Sequence, residues 1–212
     1  LKDYVENLET VAKARAEGKK AKPKGGAVQI YNGMVHALTP LSVRGAIWYQ
    51  GESNAGDGLR YDDLKEGLVK GWRSVFENDD LSFYWVQLAN FRNPEDKPEG
   101  GGWGPVREGQ RRALRLPKTG MAVIIDIGNA KDIHPKNKQD VGKRLALWAL
   151  AKDYHKDLIP SGPLYKSMKK EGSKIRVSFD YVGSGLMTGE KTGLDPVKET
   201  KGVDLARFSI QD

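Results

Sequence analysis

No cysteine occurs among the 212 residues, which removes disulfides, thiolate catalysis and cysteine metal sites in one stroke while saying little about compartment. Long apolar runs are missing too. No stretch reaches the roughly 18 residues of a membrane span, and no charged and apolar leader ends in a small-residue cleavage site. The chain opens on Leu1 rather than Met, so a truncated chain is expected and an export signal upstream stays open. Neither an internal repeat nor a low-complexity tract is present beyond one lysine-rich stretch. The formal charge is +7, yet lysines and arginines are scattered among acids with no aromatic-interleaved basic stripe. A solvated surface is therefore expected, not a nucleic-acid partner. No spacing of histidine and carboxylate resembles a metal site, so neither a metal nor another cofactor is expected.

What is present is enough apolar material for a core. At 38% hydrophobic, the chain suits one main domain plus a smaller piece. Leu1, Tyr4, Val5, Leu8, Val11 and Ala12 fall at helical spacing, and a lysine-rich linker with Pro23, Gly25 and Gly26 follows. Residues 1–26 thus read as a helix and basic linker. Val43 to Tyr49, Phe83 to Leu88 and Met121 to Asp126 are short apolar and aromatic runs with the character of strands. Between and after them, Leu64, Leu68, Trp72, Val75 and Phe76 outline one helical face, Val106 to Leu114 a second helix, and Val141, Leu145, Trp148 and Ala151 a third. Strands alternating with helices predict an α/β core, with right-handed crossovers and a parallel sheet between helical layers, over residues 27–159. After Pro160 the texture changes. Gly162 to Met168 and Lys174 to Tyr181 flank a glycine turn and predict a hairpin, so residues 160–212 read as an antiparallel β-rich segment.

In such a core, sites gather beyond the carboxyl ends of the strands. Two polar clusters satisfy that rule. Asp132-Ile133-His134-Pro135 lies just past the third apolar run, and Gln50-Gly51-Glu52-Ser53-Asn54 just past the first. An imidazole titrates near neutral pH and takes a proton from a nucleophile; a nearby carboxylate fixes its tautomer and steadies the imidazolium.

Four runs in this order, Tyr31-Asn32-Gly33-Met34-Val35-His36, Ile47-Trp48-Tyr49-Gln50-Gly51-Glu52-Ser53-Asn54-Ala55, Tyr84-Trp85-Val86-Gln87-Leu88-Ala89-Asn90-Phe91 and Asp132-Ile133-His134-Pro135-Lys136, closely resemble the sialate O-acetylesterase family. These are SGNH-type hydrolases that remove acetyl groups from sugar hydroxyls. The resemblance spans roughly residues 28–190. It implies a flavodoxin-like three-layer core with an extra β-rich region, a serine-dependent esterase with an O-acetylated sugar as substrate, and a secreted or periplasmic setting. It further implies His134 as general base and then acid, with Asp132 as its orienting acid. Gln50 offers its amide to the oxyanion, Asn32 and the backbone of Gly33 supply further donors, and the Gln50 to Asn54 loop forms part of the pocket. The family's nucleophile lies in a Gly-Gln-Ser-Asn motif that these 212 residues do not contain. An upstream segment of the same enzyme is the expected source. In many SGNH enzymes the acid stands three residues before the histidine, a position held here by Lys131.

A rival reading of the residues remains beside this one. Ser53 in Gly51-Glu52-Ser53-Asn54-Ala55 approaches the G-x-S-x-G elbow, with Ala55 in place of the closing glycine. Glu52 suits either a catalytic carboxylate or a structural acid bonded to loop amides. Arg107, Glu108 and Gln110 resemble a family run and are taken as scaffold. Trp48, Trp72, Trp85 and Trp148 are expected in the core, whereas Trp103, in the glycine-rich run from Gly100 to Gly104, suits the lining of a sugar pocket. A non-catalytic sugar-binding fragment and an acetylxylan-type esterase are the alternatives to a sialate esterase.

Overall fold

The computed structural model describes residues 2–22, 29–92, 102–205 and 208. The linker residues Pro23, Gly25 and Gly26, and Gly100 of the glycine run, lie outside them. The chain divides into two compact units, Leu1–Val43 and Arg44–Asp212. The first holds helix α1 (Lys2–Ala16), a π-helical turn at Tyr31–Val35 and a 3₁₀ turn at His36–Leu38.

In the second unit, strands β1 (Gly45–Trp48), β2 (Ser82–Val86) and β3 (Thr119–Ala122) form a parallel sheet in the order β1-β2-β3. Helix α2 (Tyr61–Val75) connects the first pair. Helix α3 (Gly104–Arg112), which starts on Pro105 in its first turn, connects the second, and α4 (Lys138–Lys152) follows β3. Every residue of β2 is buried, as expected of a central strand covered on both faces. Its alternation divides the core. Tyr84 and Val86 join Val141, Leu145 and Trp148 of α4, while Phe83 and Trp85 join Val69 of α2 and Ala113. Helix, sheet and helix thus make the three layers predicted from the alternating pattern.

Strand β3 begins and ends earlier than the apolar run suggests, because its ladder to β2 runs from Phe83↔Thr119 to Val86↔Ala122. Val123 to Ile125 continue past it into the loop. Gly120 faces Trp148 so closely that any side chain there would overlap the indole, whose Nε1 donates to Met121 O at 3.0 Å.

Helix α2 also differs from its pattern. The buried stripe is Tyr61, Lys65, Val69 and Arg73, while Leu64 is exposed. Both cations turn inward, into different surroundings. Arg73 donates to Leu81 O at 3.1 Å and Pro117 O at 2.6 Å, and Lys65 lies among the rings of Tyr61, Trp85 and Trp48.

Beyond α4, β4 (Leu164–Glu171) and β5 (Lys174–Asp180) pair antiparallel about Gly172, whose φ of +61° suits the tight turn. A short pair, β6 (Gly189–Glu190) and β7 (Lys198–Glu199), completes the β-rich segment.

Candidate functional site

Parallel strands send all three of their following loops to one edge of the sheet. The loop after β1 is built on Gly51, whose φ of +158° and ψ of −14° belong to glycine. A Cβ there would also press on Gln110 Nε2 at 3.2 Å and Leu88 Cδ2 at 3.3 Å. Glu52 turns back to accept from the Gly51 N–H at 3.0 Å, the structural use of this acid. Gln50 Nε2 donates to Asn54 Oδ1 at 2.6 Å, and Asn54 Nδ2 to Asp57 Oδ2 at 2.7 Å. Tyr61 donates to Gln50 O at 2.9 Å and Oε1 at 3.0 Å. Ser53 is exposed within the 3₁₀ run Glu52–Arg60, whose non-helical backbone angles fall at Asn54 and Gly58. Its backbone is thus helical, without the strained turn of a nucleophile elbow.

After β2 the chain continues through Leu88 to Arg92 as a spine between the other two loops. Gln110, fully buried, accepts from Leu88 N at 3.0 Å and donates to Val86 O at 3.3 Å, so it completes the backbone pairing of that spine as scaffold. Gln87 Nε2 donates to Arg107 O at 3.1 Å. Glu108 holds Arg111 and Arg112. Trp103 packs partly buried against Tyr61, Leu88 and Val106, with its ring 5.1 Å from that of Phe91. Arg92, at φ +67°, donates its N–H to Ala130 O at 2.9 Å and so ties the spine to the loop after β3.

The loop after β3 carries the acid and histidine. Asn129 and Asp132 form an isolated bridge, with Asn129 Oδ1 accepting from Lys131 N at 2.9 Å. The turn brings Asp132 Oδ1 to 2.9 Å from His134 N and 3.5 Å from His134 Nδ1. The His134 backbone N–H, more than any other group, holds the Asp132 carboxyl below its usual range. The imidazole side chain is 87% exposed. Together with Asp126, Ile127, Gly128, Asn129, Lys136 and Asn137, and with Lys191 and Gly193 from the β-rich segment, it lines an open cleft of 290 Å³. Arg144 braces the base of the loop through Asp126 at 2.5 and 2.7 Å and Val123 O at 2.7 Å. Asn137 caps α4 by accepting from Asp140 N at 3.1 Å, and Lys191 pairs with Asp140 at 2.8 Å, an ion pair almost closed to solvent.

Two clusters therefore stand on one sheet edge. Asp132 and His134 are together, as are Gln50, Gly51, Glu52 and Asn54, with the β2 spine between them. At ~4.8 Å per strand, the two loops start about 10 Å apart. Of the other expected site residues, Asn32 and Gly33 lie exposed on the π-helical turn of the first unit. Tyr61 and Asp57 carry no motif in the sequence, and only the folded loop shows that they hold Gln50 and Asn54. Among the described residues no group of three or more acids or histidines is placed to hold a metal ion, and no helix is long and apolar enough to cross a membrane.

Comparison with known proteins places these loops in context. The family model for "Carbohydrate esterase, sialic acid-specific acetylesterase" matches residues 13–151. The chain is similar to the sialate O-acetylesterase of Mus musculus, at 32% identity over 174 residues, covering 72% of this chain and 31% of the mouse protein. Similarity to the sialate O-acetylesterase of Homo sapiens is 29% over 171 residues, covering 72% and 32%. Among solved structures it resembles a carbohydrate acetylesterase from Xanthomonas citri, at 43% identity and a TM-score of 0.67 over 76% of this chain and 39% of that one. The chain spans about a third of the length of the curated relatives it matches.

Proposed function

Because this chain belongs to the sialic acid-specific acetylesterase family of carbohydrate esterases, we propose that it forms the α/β core of an enzyme that removes O-acetyl groups from sugars. Sialic acid is the favoured sugar. The observation that carries the proposal is the pairing of His134 with Asp132 on the loop after β3, with the imidazole open to a cleft on the sheet edge where such sites gather. Asp132 stands at Nδ1, which leaves Nε2 to serve as base and then acid.

The chemistry is a double displacement. A serine hydroxyl loses its proton to His134 as its oxygen attacks the acetyl carbonyl, and the tetrahedral oxyanion is met by amide donors, Gln50 Nε2 among them. His134 then protonates the departing sugar oxygen. In the second half it takes a proton from water, which attacks the acetyl-serine, and acetate leaves as the serine is reprotonated. Asp132 orients the ring throughout. Trp103 belongs to the same proposal as a wall for the sugar. The serine itself is assigned to the Gly-Gln-Ser-Asn motif of the family, which these residues do not contain. A secreted or periplasmic setting completes the proposal.

His134→Ala in the active protein that carries this chain is expected to lower acetate release from O-acetylated sialic acid by several orders of magnitude. Turnover near the wild-type value would overturn the assignment. The 212-residue chain alone is expected to leave p-nitrophenyl acetate untouched; hydrolysis lost on Ser53→Ala would establish Ser53 as nucleophile instead. A second substrate reading, an acetylated glycan such as xylan, goes with the likeness to a carbohydrate acetylesterase. Relative kcat/KM on the two acetylated sugars separates them.

A further inference from the structure

A chain of hydrogen bonds crosses the loop after β1, and its direction is fixed from one end. A carboxylate only accepts, so Asn54 turns Nδ2 to Asp57 Oδ2 at 2.7 Å and presents Oδ1 on its other side. Gln50 answers that oxygen with Nε2 at 2.6 Å. Its own Oε1 is left facing Tyr61, whose hydroxyl donates to it at 3.0 Å and to Gln50 O at 2.9 Å. Tyr61 is 3% exposed, and burial pushes its phenol up to about 12, so it remains a donor wherever an esterase works.

The links from Asp57 through Asn54 to Gln50 thus have one sense. The Gln50 carboxamide holds one N–H on Asn54 and keeps the second uncommitted among the described residues. Were the group reversed, oxygen would meet oxygen at Asn54, and an acceptor would be turned toward developing negative charge.

We infer that Asp57 is a positioning residue, acting through Asn54 to fix the polarity of the Gln50 carboxamide, with Tyr61 holding the opposite end. This rests on the proposed role of Gln50 as an oxyanion donor. Asp57 touches no reacting atom, and its effect falls on the transition state, not on sugar binding.

The test compares Asp57→Asn, Tyr61→Phe, Gln50→Ala and the double variant Gln50→Ala/Asp57→Asn in the active protein that carries this chain. Acetate release gives kcat and KM, and thermal unfolding is followed alongside. An amide at position 57 donates as well as accepts, which frees Asn54 and Gln50 to reverse. Asp57→Asn is expected to lower kcat roughly tenfold, a fraction of the 10²–10³ loss on removing an oxyanion donor outright, with KM little changed. In the double variant the Asp57 effect disappears, because no carboxamide remains to be oriented. Wild-type kcat in Asp57→Asn, with kcat lost in Gln50→Ala, overturns the inference and leaves the role of Gln50 standing. Unchanged kcat in Gln50→Ala removes the oxyanion role and the inference with it. Should Asp57→Asn fail to fold, Tyr61→Phe decides: a kcat loss with KM held supports the relay, and wild-type kcat refutes it.

Discussion

Replacing Lys65 by methionine is expected to stabilise the protein, and to do so by an amount that depends on pH. Lys65 is 1% exposed and its Nζ has no hydrogen-bond partner among the described residues. Around it stand the rings of Tyr61 at 5.0 Å, Trp85 at 5.5 Å and Trp48 at 5.7 Å. Desolvation pulls its ammonium from 10.5 down to about 7, whereas an unfolded chain keeps the ordinary lysine value. The unfolded state therefore binds one more proton between pH about 7 and about 10.5, and stability rises across that window by ~1.4 kcal/mol per pH unit. Below it the full penalty applies, ~5 kcal/mol for the desolvated charge. Methionine fills similar volume without a charge. Urea unfolding of both proteins at pH 6, 8 and 10 checks the reasoning. A gain of several kcal/mol at pH 6, approaching the ~5 kcal/mol penalty and shrinking by ~1.4 kcal/mol per pH unit from pH about 7 toward pH 10, is expected. A variant no more stable than wild type at pH 6, or a gain that does not vary with pH, refutes it.

Three further outcomes follow from packing and charge. Gly120→Ala puts a methyl group into the Trp148 indole, and a loss of ~1–3 kcal/mol is expected in denaturant titration. Arg144→Met removes both bonds to Asp126 and the one to Val123 O, so backbone amides after β3 are expected to exchange faster while those of β1 keep their protection. Lys191, with Asn137 second, holds the Asp140 carboxyl down to about 2. That contribution is present above pH about 4 and lost as pH falls toward 2. Lys191→Met is expected to flatten the acid limb of a stability profile, and an unchanged limb would count against the pair.

The layers of the core were legible because each depends on local periodicity. Five consecutive apolar or small residues at Ser82–Val86 and the helical spacing of Val141, Leu145 and Trp148 state their burial directly. The end of β3 was not, since it is set by where its partner's ladder stops at Val86↔Ala122. The inner face of α2 was legible only in part: Leu68 and Trp72 do pack against the core, but pattern reading assigns Lys65 and Arg73 to solvent, and only aromatic faces and stray carbonyls from other elements make them internal. In the candidate site, Asp132 and His134 are two residues apart and were read together from the chain. Asp57 and Tyr61 stand in a polar run and at a helix start that carry no motif. Their part depends on the fold of the loop around Gly51, which no spacing announces.

On the proposed mechanism, His134 activates a serine that lies outside the loop after β1. An organophosphonate that phosphonylates activated serines, followed by peptide mass spectrometry on the active protein that carries this chain, tests it. Labelling is expected on a serine other than Ser53 and is expected to vanish in His134→Ala. A label on Ser53, or one that persists without the imidazole, would contradict it.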